Sequence, residues 1–251
     1  MRLKILGAHN TESLSTRLAC ALLDGVVALD AGAITSTLTL AQQQNIKHVL
    51  ITHRHYDHIR DLLTLGINAR SSGLTLVYSI DEVIKSIRAF YINGELYPDF
   101  TKDSGVPPKF MLTSVKPKES FRLLDYEVTP LEVRHSVPSV GYLVDKGGTT
   151  FFFSGDCGEG LAETLAGRRI DLLITEVTYG DAQMSRAAAQ GHMTPAILAG
   201  QLLEMSPRPG RVIVMHMDPM LEVQIKQELA VFKKTTGIDL TLGREGQEVR
   251  L

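Results

Sequence analysis

The chain has 251 residues, of which 44% are hydrophobic and 22% are charged, and its formal net charge is −2. This composition excludes a disordered or fibrous protein, and the length suits one domain over residues 1–251 with a large buried core. The lack of net positive charge argues against long nucleic acid as a partner. The sequence shows no apolar run of the roughly 18 residues that a membrane span needs, no signal peptide and too few cysteines for a disulfide framework, so we expect a cytoplasmic protein.

Short runs rich in Val, Ile, Leu and Phe, bounded by turn residues, predict strands along the whole chain. In chain order these runs cover residues 2–6, 16–23, 26–30, 48–52, 74–78, 126–134, 141–144, 149–153, 171–175 and 211–215. Stretches with helical character lie between some of them, at residues 35–44, 81–91, 161–166, 195–205 and 221–232. The mixture of hairpins and alternating elements predicts an α/β sandwich in which helices cover sheets.

Residues 89–110 do not follow this alternation, and we refer to them as the aromatic segment. Its aromatic residues, which stand among Pro, Gly and Asp, are Phe90, Tyr91, Tyr97, Phe100 and Phe110. Three interpretations are open for this segment: a loop packed on the core, a lid over a functional site, or a contact between the subunits of a homodimer.

A short stretch directly after the predicted strand at 48–52 concentrates side chains that bind transition metals. It contains His53, His55, Asp57 and His58. In an extended chain His53 and His55 point to the same side, and a turn after them would bring the other two side chains to a second position. Imidazole and carboxylate groups are ligands for Zn²⁺, Mn²⁺ and iron, so this cluster predicts a metal site.

Further candidate ligands stand just past the ends of other predicted strands. His135, Asp156 and His216 each come after an apolar run, as the cluster does. Strands of one sheet that run in the same direction end at the same edge. This placement therefore predicts that all of these side chains meet along one edge of a sheet.

The order of these residues resembles the metallo-β-lactamase superfamily. The matching features are the H-x-H-x-D-H cluster at 53–58, His135, Ser154-Gly155-Asp156, His216 and the early turn Leu29-Asp30-Ala31-Gly32. The resemblance implies a four-layer αβ/βα sandwich with the metals at one edge of its two sheets. It also implies two divalent metal ions per chain, with zinc as the first expectation and manganese or iron as alternatives.

By the same resemblance, the ligands divide between the two ions. The first set would be His53, His55 and His135, and the second set would be Asp57, His58 and His216. Asp156 would bridge the ions, Asp30 would orient a ligand histidine, and Asp57 counts as a catalytic residue as well as a ligand. A hydroxide shared by the ions would be the nucleophile, because metal binding lowers the pKa of water from 15.7 toward about 7.

Two later stretches resemble the phosphodiesterase branch of the superfamily, especially ribonuclease Z. They are Thr175-Glu176-Val177-Thr178-Tyr179 and Gly191-His192-Met193-Thr194-Pro195. The resemblance makes His192 a catalytic candidate that stabilises the transition state or protonates the leaving oxygen, with Glu176 as the residue that orients it. Thr194 as N-cap and Pro195 predict a helix start, whose free N–H groups would suit a phosphate oxygen.

These features predict a phosphodiesterase that acts on a small phosphodiester, cyclic phosphates included. Ribonuclease Z carries a long tRNA-gripping arm between its third histidine and its bridging Asp, whereas residues 135–156 have room for a hairpin alone. Tyr56 and Asp61 also depart from the residues usual around the cluster in ribonuclease Z and in class II cyclic-nucleotide phosphodiesterases. The alternatives are a thioester or sulfate-ester hydrolase on the same scaffold, a ribonuclease Z-like RNA-processing enzyme, and a binding module without turnover.

Overall fold

The computed structural model describes residues 1–69, 73–103, 105 and 107–251. The first part of the chain forms β1 (Arg2–Gly7), β2 (Cys20–Leu23), β3 (Val27–Leu29), α1 (Ile34–Thr37), α2 (Leu40–Gln43), β4 (His48–Leu50), α3 (Tyr56–Ile59), α4 (Asp61–Asn68), β5 (Thr75–Ile80), α5 (Asp81–Phe90) and β6 (Phe110–Val115). The second part forms β7 (Phe121–Leu123), β8 (Tyr126–Glu132), β9 (Val140–Lys146), β10 (Thr149–Phe153), α6 (Leu161–Thr164), β11 (Leu172–Glu176), a 3-10 turn (Asp181–Gln183), α7 (Met184–Gln190), α8 (Pro195–Glu204), β12 (Arg211–Met215), α9 (Glu222–Thr236), β13 (Leu240–Leu242) and β14 (Glu248–Arg250).

Within the described residues, these strands form two mixed sheets of seven strands each. The first sheet has the order β14-β1-β2-β3-β4-β5-β6, and the second has the order β13-β12-β11-β10-β9-β8-β7. Strands β3 to β6 run parallel in the first sheet, and β10 to β13 run parallel in the second. The Tyr142 hydroxyl in β9 donates to the backbone oxygen of Ile51, just after β4, at 2.9 Å, so the sheets pack against each other.

Helices lie against both sheets. Helix α5 contacts β5 and β6 of the first sheet, and α9 contacts β13 of the second sheet and also α8. The buried core between these layers includes Leu29 and Leu50 from the first sheet and Phe151 and Phe152 from the second. This is the predicted α/β arrangement of two sheets covered by helices. Within the described part of the chain, no helix has the length and apolar character required to cross a bilayer.

Some element boundaries differ from the sequence prediction. The predicted strand at 16–23 begins only at Cys20, because Ser13 and Thr16 close a turn through a backbone hydrogen bond of 3.1 Å and a hydroxyl contact of 2.8 Å. The predicted helix at 35–44 is two short helices, and Thr39 caps the second of them in a capping box with Gln42. Helices α3, α4 and α7 and strands β6, β7, β13 and β14 were not predicted.

The aromatic segment packs on α3 and α4. The Tyr91 hydroxyl donates to the backbone oxygen of Arg60, and an ideal Cβ at Gly66 would lie 2.6 Å from the Phe100 ring. The interpretation as a loop packed on the core therefore holds for these two aromatic residues. Residues 104 and 106 of the segment lie outside the described residues, and its interpretations as a lid or a dimer contact stay predictions.

Candidate metal centre

One edge of the molecule collects the polar residues that follow the strands. Strands β8, β10 and β12 run in the same direction, so their carboxyl ends lie at one edge, where His135, Asp156 and His216 follow them. The cluster at 53–58 comes from the first sheet, because it leads from β4 into α3. Strand placement alone predicted a single sheet for all candidates, which is wrong, since both sheets contribute to this edge. The resemblance implied one edge of two sheets, and the candidates lie at such an edge.

A first group of donor atoms surrounds His53. The ligand atoms of this group lie within 4.8 Å of one another and belong to His53, His55, His135 and Asp156. His53 Nε2 lies 3.7 Å from Asp156 Oδ2, and His135 Nε2 lies 3.2 Å from His55 Nδ1. His135 donates through Nδ1 to the backbone oxygen of Gly191 at 2.9 Å, so its Nε2 keeps the lone pair that faces the group.

A second group adjoins the first and shares Asp156 with it. Its ligand atoms also lie within 4.8 Å of one another and belong to Asp57, His58, Asp156 and His216. Asp156 Oδ1 lies 3.2 Å from His58 Nε2 and 3.3 Å from His216 Nε2. His216 Nε2 is in addition 3.2 Å from Asp57 Oδ2. The two oxygens of Asp156 thus face different groups, so this carboxylate could contact a cation in either group.

Several buried atoms at this edge fit a metal rather than a protein partner. Among the described residues, His53 Nε2, His58 Nε2 and Asp156 Oδ1 are buried and make no hydrogen bond, although the last two approach each other. Burying a polar atom without a partner costs about 1–3 kcal/mol. Imidazole nitrogen and carboxylate oxygen are ligands of divalent transition metals, so a cation in each group would satisfy these atoms.

The histidines of the first group are held in the neutral form that binds a metal. Burial lowers the pKa of His53 well below its ordinary value, and the charge on His58 acts in the same direction. Burial also lowers the pKa of His55 and of His135. A neutral imidazole keeps the lone pair that a metal requires.

The second group combines two carboxylates with two histidines, and each type shifts the pKa of the other. Burial alone would lower the pKa of His58, but nearby carboxylates raise it well above its ordinary value, and they belong to Asp156, Asp30 and Asp57. Burial alone would raise the pKa of Asp57, but His58 and His216 lower it to about 2. Near neutral pH the carboxylates of the group are therefore ionised and His58 carries a proton that a bound cation would displace.

Asp30 lies behind the cluster, fully buried, just after β3. Its Oδ2 accepts a hydrogen bond from His58 Nδ1 at 2.7 Å, and its Oδ1 accepts one from the backbone N–H of Thr52 at 2.8 Å. The predicted role of Asp30 as an acceptor that orients a ligand histidine is supported by this contact. Burial raises the pKa of Asp30, and the charge and hydrogen bond of His58 oppose that shift.

His192 lies beside both groups and is held by Glu176. Its Nδ1 is 2.7 Å from Glu176 Oε1 and 4.0 Å from Asp156 Oδ2, and its ring centroid is 5.1 Å from that of His135. Burial alone would lower the pKa of His192, but the charge and hydrogen bond of Glu176 raise it to about 9. His192 is therefore protonated at neutral pH, and its Nε2–H is available as a proton donor.

The expected free N–H groups at the start of α8 are absent from the described structure. Thr194 caps the helix by accepting from the backbone N–H of Ile197 at 3.4 Å, and the backbone N–H of Ala196 donates to Asp181 Oδ1 at 2.8 Å. Pro195 has no N–H to offer. The helix start is as predicted, but the interpretation that it cradles a phosphate oxygen is wrong, because side chains already occupy its donors.

Two threonines that the sequence does not mark as functional touch candidate ligands. The Thr52 hydroxyl lies 3.0 Å from His53 Nδ1, and the Thr178 hydroxyl lies 2.8 Å from His216 Nδ1. Thr52 precedes the cluster directly, which is a weak signal. Thr178 is 38 positions from His216 in the chain, so no local pattern connects the two residues.

Comparison with known proteins identifies the family. Residues 22–217 match the family described as "Beta-lactamase superfamily domain". A curated relative, the probable 3',5'-cyclic-nucleotide phosphodiesterase of Yersinia pestis, is 26% identical over 209 residues, which are 72% of this chain and 59% of that protein. The chain thus spans about 59% of the length of this relative.

Solved structures with the same fold come from several organisms. Unliganded yeast PDE1 has a TM-score of 0.80 at 17% identity, with 100% of this chain and 99% of that chain covered. The short form of human tRNase Z has a TM-score of 0.71 at 21% identity, with 100% and 99% covered. YhfI from Bacillus subtilis, a metallo-beta-lactamase fold protein, has a TM-score of 0.78 at 14% identity, with 99% and 98% covered. At these identities the likeness establishes the predicted metallo-β-lactamase sandwich fold alone.

Proposed function

The chain belongs to the beta-lactamase superfamily, and from this premise we propose that it is a dinuclear metal-dependent phosphodiesterase acting on a small phosphodiester, cyclic phosphates included. The observation that carries the proposal is the pair of donor groups that share Asp156 and leave buried donor atoms without protein partners. The cyclic-nucleotide phosphodiesterase of Yersinia pestis supports the choice of a phosphodiester.

We assign the proposed ligands by the two groups. One ion would be bound by His53, His55 and His135, the other by Asp57, His58 and His216, with Asp156 between them. Two divalent cations held there, zinc as the first expectation, would supply a water-derived nucleophile near neutral pH and neutralise charge on the phosphoryl group. Glu176 and Asp30 do not reach the ions in this assignment but orient the histidines that act there.

His192 supplies the proton that the leaving oxygen needs. Because its Nδ1 is bound to Glu176, the exchangeable proton that remains for chemistry is on Nε2. The Glu176 carboxylate raises the pKa of His192 and so keeps that proton in place at neutral pH, and the turnover of a poor leaving group should decline at alkaline pH, where the proton is lost. Glu176 acts through His192 and serves as its orienting residue.

A small substrate agrees with the short connection between His135 and Asp156. All residues between them are described, and they form the hairpin of β9 and β10, so no tRNA-gripping arm is inserted there. The proposal therefore does not extend to the RNA substrates of ribonuclease Z. A homodimer and a cytoplasmic location stay predictions from the sequence.

Metal analysis and a substrate panel test the proposal. Purified protein should contain close to two transition-metal ions per chain, and it should hydrolyse a bis(aryl) phosphate faster than an aryl sulfate or an aryl thioester. A library of cyclic and linear phosphodiesters would then define the substrate. Protein that binds no transition metal, or that prefers the sulfate ester or the thioester, would refute the proposal.

A further inference from the structure

Thr52 joins a buried carboxylate to one proposed metal ligand. Its backbone N–H donates to Asp30 Oδ1 at 2.8 Å, and its hydroxyl lies 2.9 Å from Asp30 Oδ2. The same hydroxyl lies 3.0 Å from His53 Nδ1. All three residues are fully buried, so water cannot substitute for any of these contacts.

Thr178 repeats this pattern in the other sheet. Its backbone N–H and its hydroxyl lie 3.0 Å and 2.8 Å from Glu176 Oε2. The hydroxyl also lies 2.8 Å from His216 Nδ1 and 3.2 Å from His192 Nδ1. Thr178 and Glu176 are each 1% exposed, so this second arrangement is as dry as the first.

The chemistry of the threonine hydroxyl determines which group donates and which accepts in both sets of hydrogen bonds. A threonine hydroxyl has one proton to donate, and an ionised carboxylate can only accept. If that proton goes to the carboxylate, the hydroxyl oxygen must accept from the histidine, which then carries its proton on Nδ1. The lone pair of that histidine is thereby placed on Nε2, the atom that faces Asp156 in both His53 and His216.

We propose that Thr52 and Thr178 are paired positioning residues, each of which fixes the tautomer of one metal ligand through a carboxylate–threonine–histidine relay. The relays are Asp30–Thr52–His53 and Glu176–Thr178–His216. Each proposed metal has one ligand held in this way, in addition to the direct contact of Asp30 with His58. The inference rests on the proposed ligand roles of His53 and His216.

Replacing each threonine by valine removes the hydroxyl and keeps the branched shape. Loss of an outer-shell partner typically weakens metal binding by 10–100-fold, so Thr52→Val and Thr178→Val should each lower the affinity for one of the two ions by about this factor. Thr52→Ser and Thr178→Ser retain the hydroxyl and should bind within a few-fold of wild type. Thr75→Val is the matched control, because Thr75 is buried and its hydroxyl donates to the backbone oxygen of Ile46 at 3.1 Å.

Competition titration of the zinc-loaded proteins with a coloured chelator measures both affinities without any substrate. The proposal is overturned if the valine variants bind both ions as tightly as Thr75→Val does, or if serine fails to restore what valine loses. Wild-type protein that binds neither zinc nor another transition metal would instead refute the proposed function, so the two failures are distinguishable.

A measurement on wild-type protein covers the case in which a valine variant does not fold. Long-range ¹⁵N–¹H correlation spectra of the zinc-loaded protein report which ring nitrogen carries the proton in each histidine. We expect the proton on Nδ1 in His53 and in His216. A proton on Nε2, or none on Nδ1, in either histidine would overturn its relay.

Discussion

Asp30, just after β3 of the first sheet, and Glu176, at the end of β11 of the second, hold histidines by the same pattern of hydrogen bonds. Each carboxylate binds one histidine directly at 2.7 Å and reaches another through a threonine hydroxyl. We call the surroundings of Asp30 the first region and those of Glu176 the second region. The two regions differ in which ring nitrogen of the directly bound histidine lies toward Asp156. His58 turns a free Nε2 toward Asp156 at 3.2 Å, whereas His192 approaches Asp156 through Nδ1 at 4.0 Å.

This difference explains how one hydrogen-bond pattern gives two roles. The Nδ1 of His192 is already committed to Glu176, so the nitrogen closest to Asp156 has no lone pair for a metal. In His58 the nitrogen bound to Asp30 points away from the donor group, and Nε2, which has no hydrogen-bond partner among the described residues, points into it, where a bound cation would displace its proton. The orientation of the ring relative to its carboxylate therefore separates a proposed ligand from a proposed proton donor.

Removing the residue shared by the two donor groups should have the largest effect. Asp156→Ala deletes the carboxylate that faces both donor groups, so both ions should be lost, and more metal should be lost than in any single histidine variant. A catalytic metal ion typically stabilises a transition state by several kcal/mol, so loss of the two proposed ions should lower kcat/KM by more than about 10⁴-fold. Elemental analysis and initial rates measure this, with the exposed Asp125→Ala as the control. Full metal occupancy in Asp156→Ala would contradict the shared role.

His192→Ala should separate turnover from metal binding in the second region. Its kcat should fall by about 10²–10⁴-fold, the usual contribution of a positioned acid, while metal content and KM stay near wild type. A nitrophenyl phosphodiester has a good leaving group, so its turnover by His192→Ala should fall much less than that of an alkyl phosphodiester. Equal losses on both substrates would indicate electrostatic stabilisation instead of proton donation. Loss of metal would show that His192 is a ligand or supports one.

Asp30→Asn and Glu176→Gln compare the two regions directly. Asp30 contacts two proposed ligands, directly or through Thr52, so its amide variant should weaken the binding of both ions by about 10–100-fold. Glu176 reaches a single proposed ligand, so Glu176→Gln should weaken the binding of one ion and leave the binding of the other unchanged. Chelator competition measures both variants, with the exposed Glu119→Gln as the control. The same binding profile in both variants would show that the regions do not differ as inferred.

The sequence alone was sufficient for the fold and for the set of residues at the site edge. The strands that lead to Asp156 and His216 are continuous apolar runs, and the cluster at 53–58 is unusual enough to stand out in any context. Helix α3 was missed because it lies within the polar cluster, which lacks the apolar spacing that predicts a helix. Helix α4 follows the cluster directly and has only eight residues. Strands β13 and β14 have three residues each and are specified by the strands they pair with rather than by their own pattern.

The outer contacts of the site could not be predicted, because they join residues that are distant in sequence. Thr178 and His216 meet only because β11 and β12 are neighbours in the sheet. The prediction of free N–H groups at α8 failed for a similar reason, since Asp181 returns from 15 positions earlier to accept from Ala196. Local patterns specify elements, and packing decides which side chains then contact each other.

The smallest predicted effect is on stability, and it concerns His9, which does not contact Asp30 or Glu176. His9 forms isolated bridge pairs with Leu18 and with Met217, the neighbour of His216. It is buried, and its ring nitrogens lie 2.6 Å from Glu245 Oε1 and 3.4 Å from Glu222 Oε2. Burial alone would lower the pKa of His9, but these carboxylates raise it above the ordinary value of 6.5. Burial alone would raise the pKa of Glu245, but His9 lowers it below 4.5.

His9→Gln should therefore destabilise the fold in a defined pH window. A raised histidine pKa stabilises the folded state below pH 6.5, and this contribution is lost as the pH rises through the raised value. The lowered pKa of Glu245 stabilises the folded state above pH 4.5. The difference in the free energy of unfolding between wild type and His9→Gln should therefore be largest between pH 4.5 and pH 6.5. We expect a difference of about 1 kcal/mol in the free energy of unfolding, or about 2–4 °C in Tm, because solvent screens the partly exposed glutamates.

His48→Gln is the control, since burial lowers the pKa of His48 and gives its pH dependence the opposite sign. Thermal unfolding at pH 5.5 and 8.5 measures both variants. A stability difference that does not shrink at the higher pH would refute the charged contact, and weaker metal binding in one region alone would show that this region depends on His9.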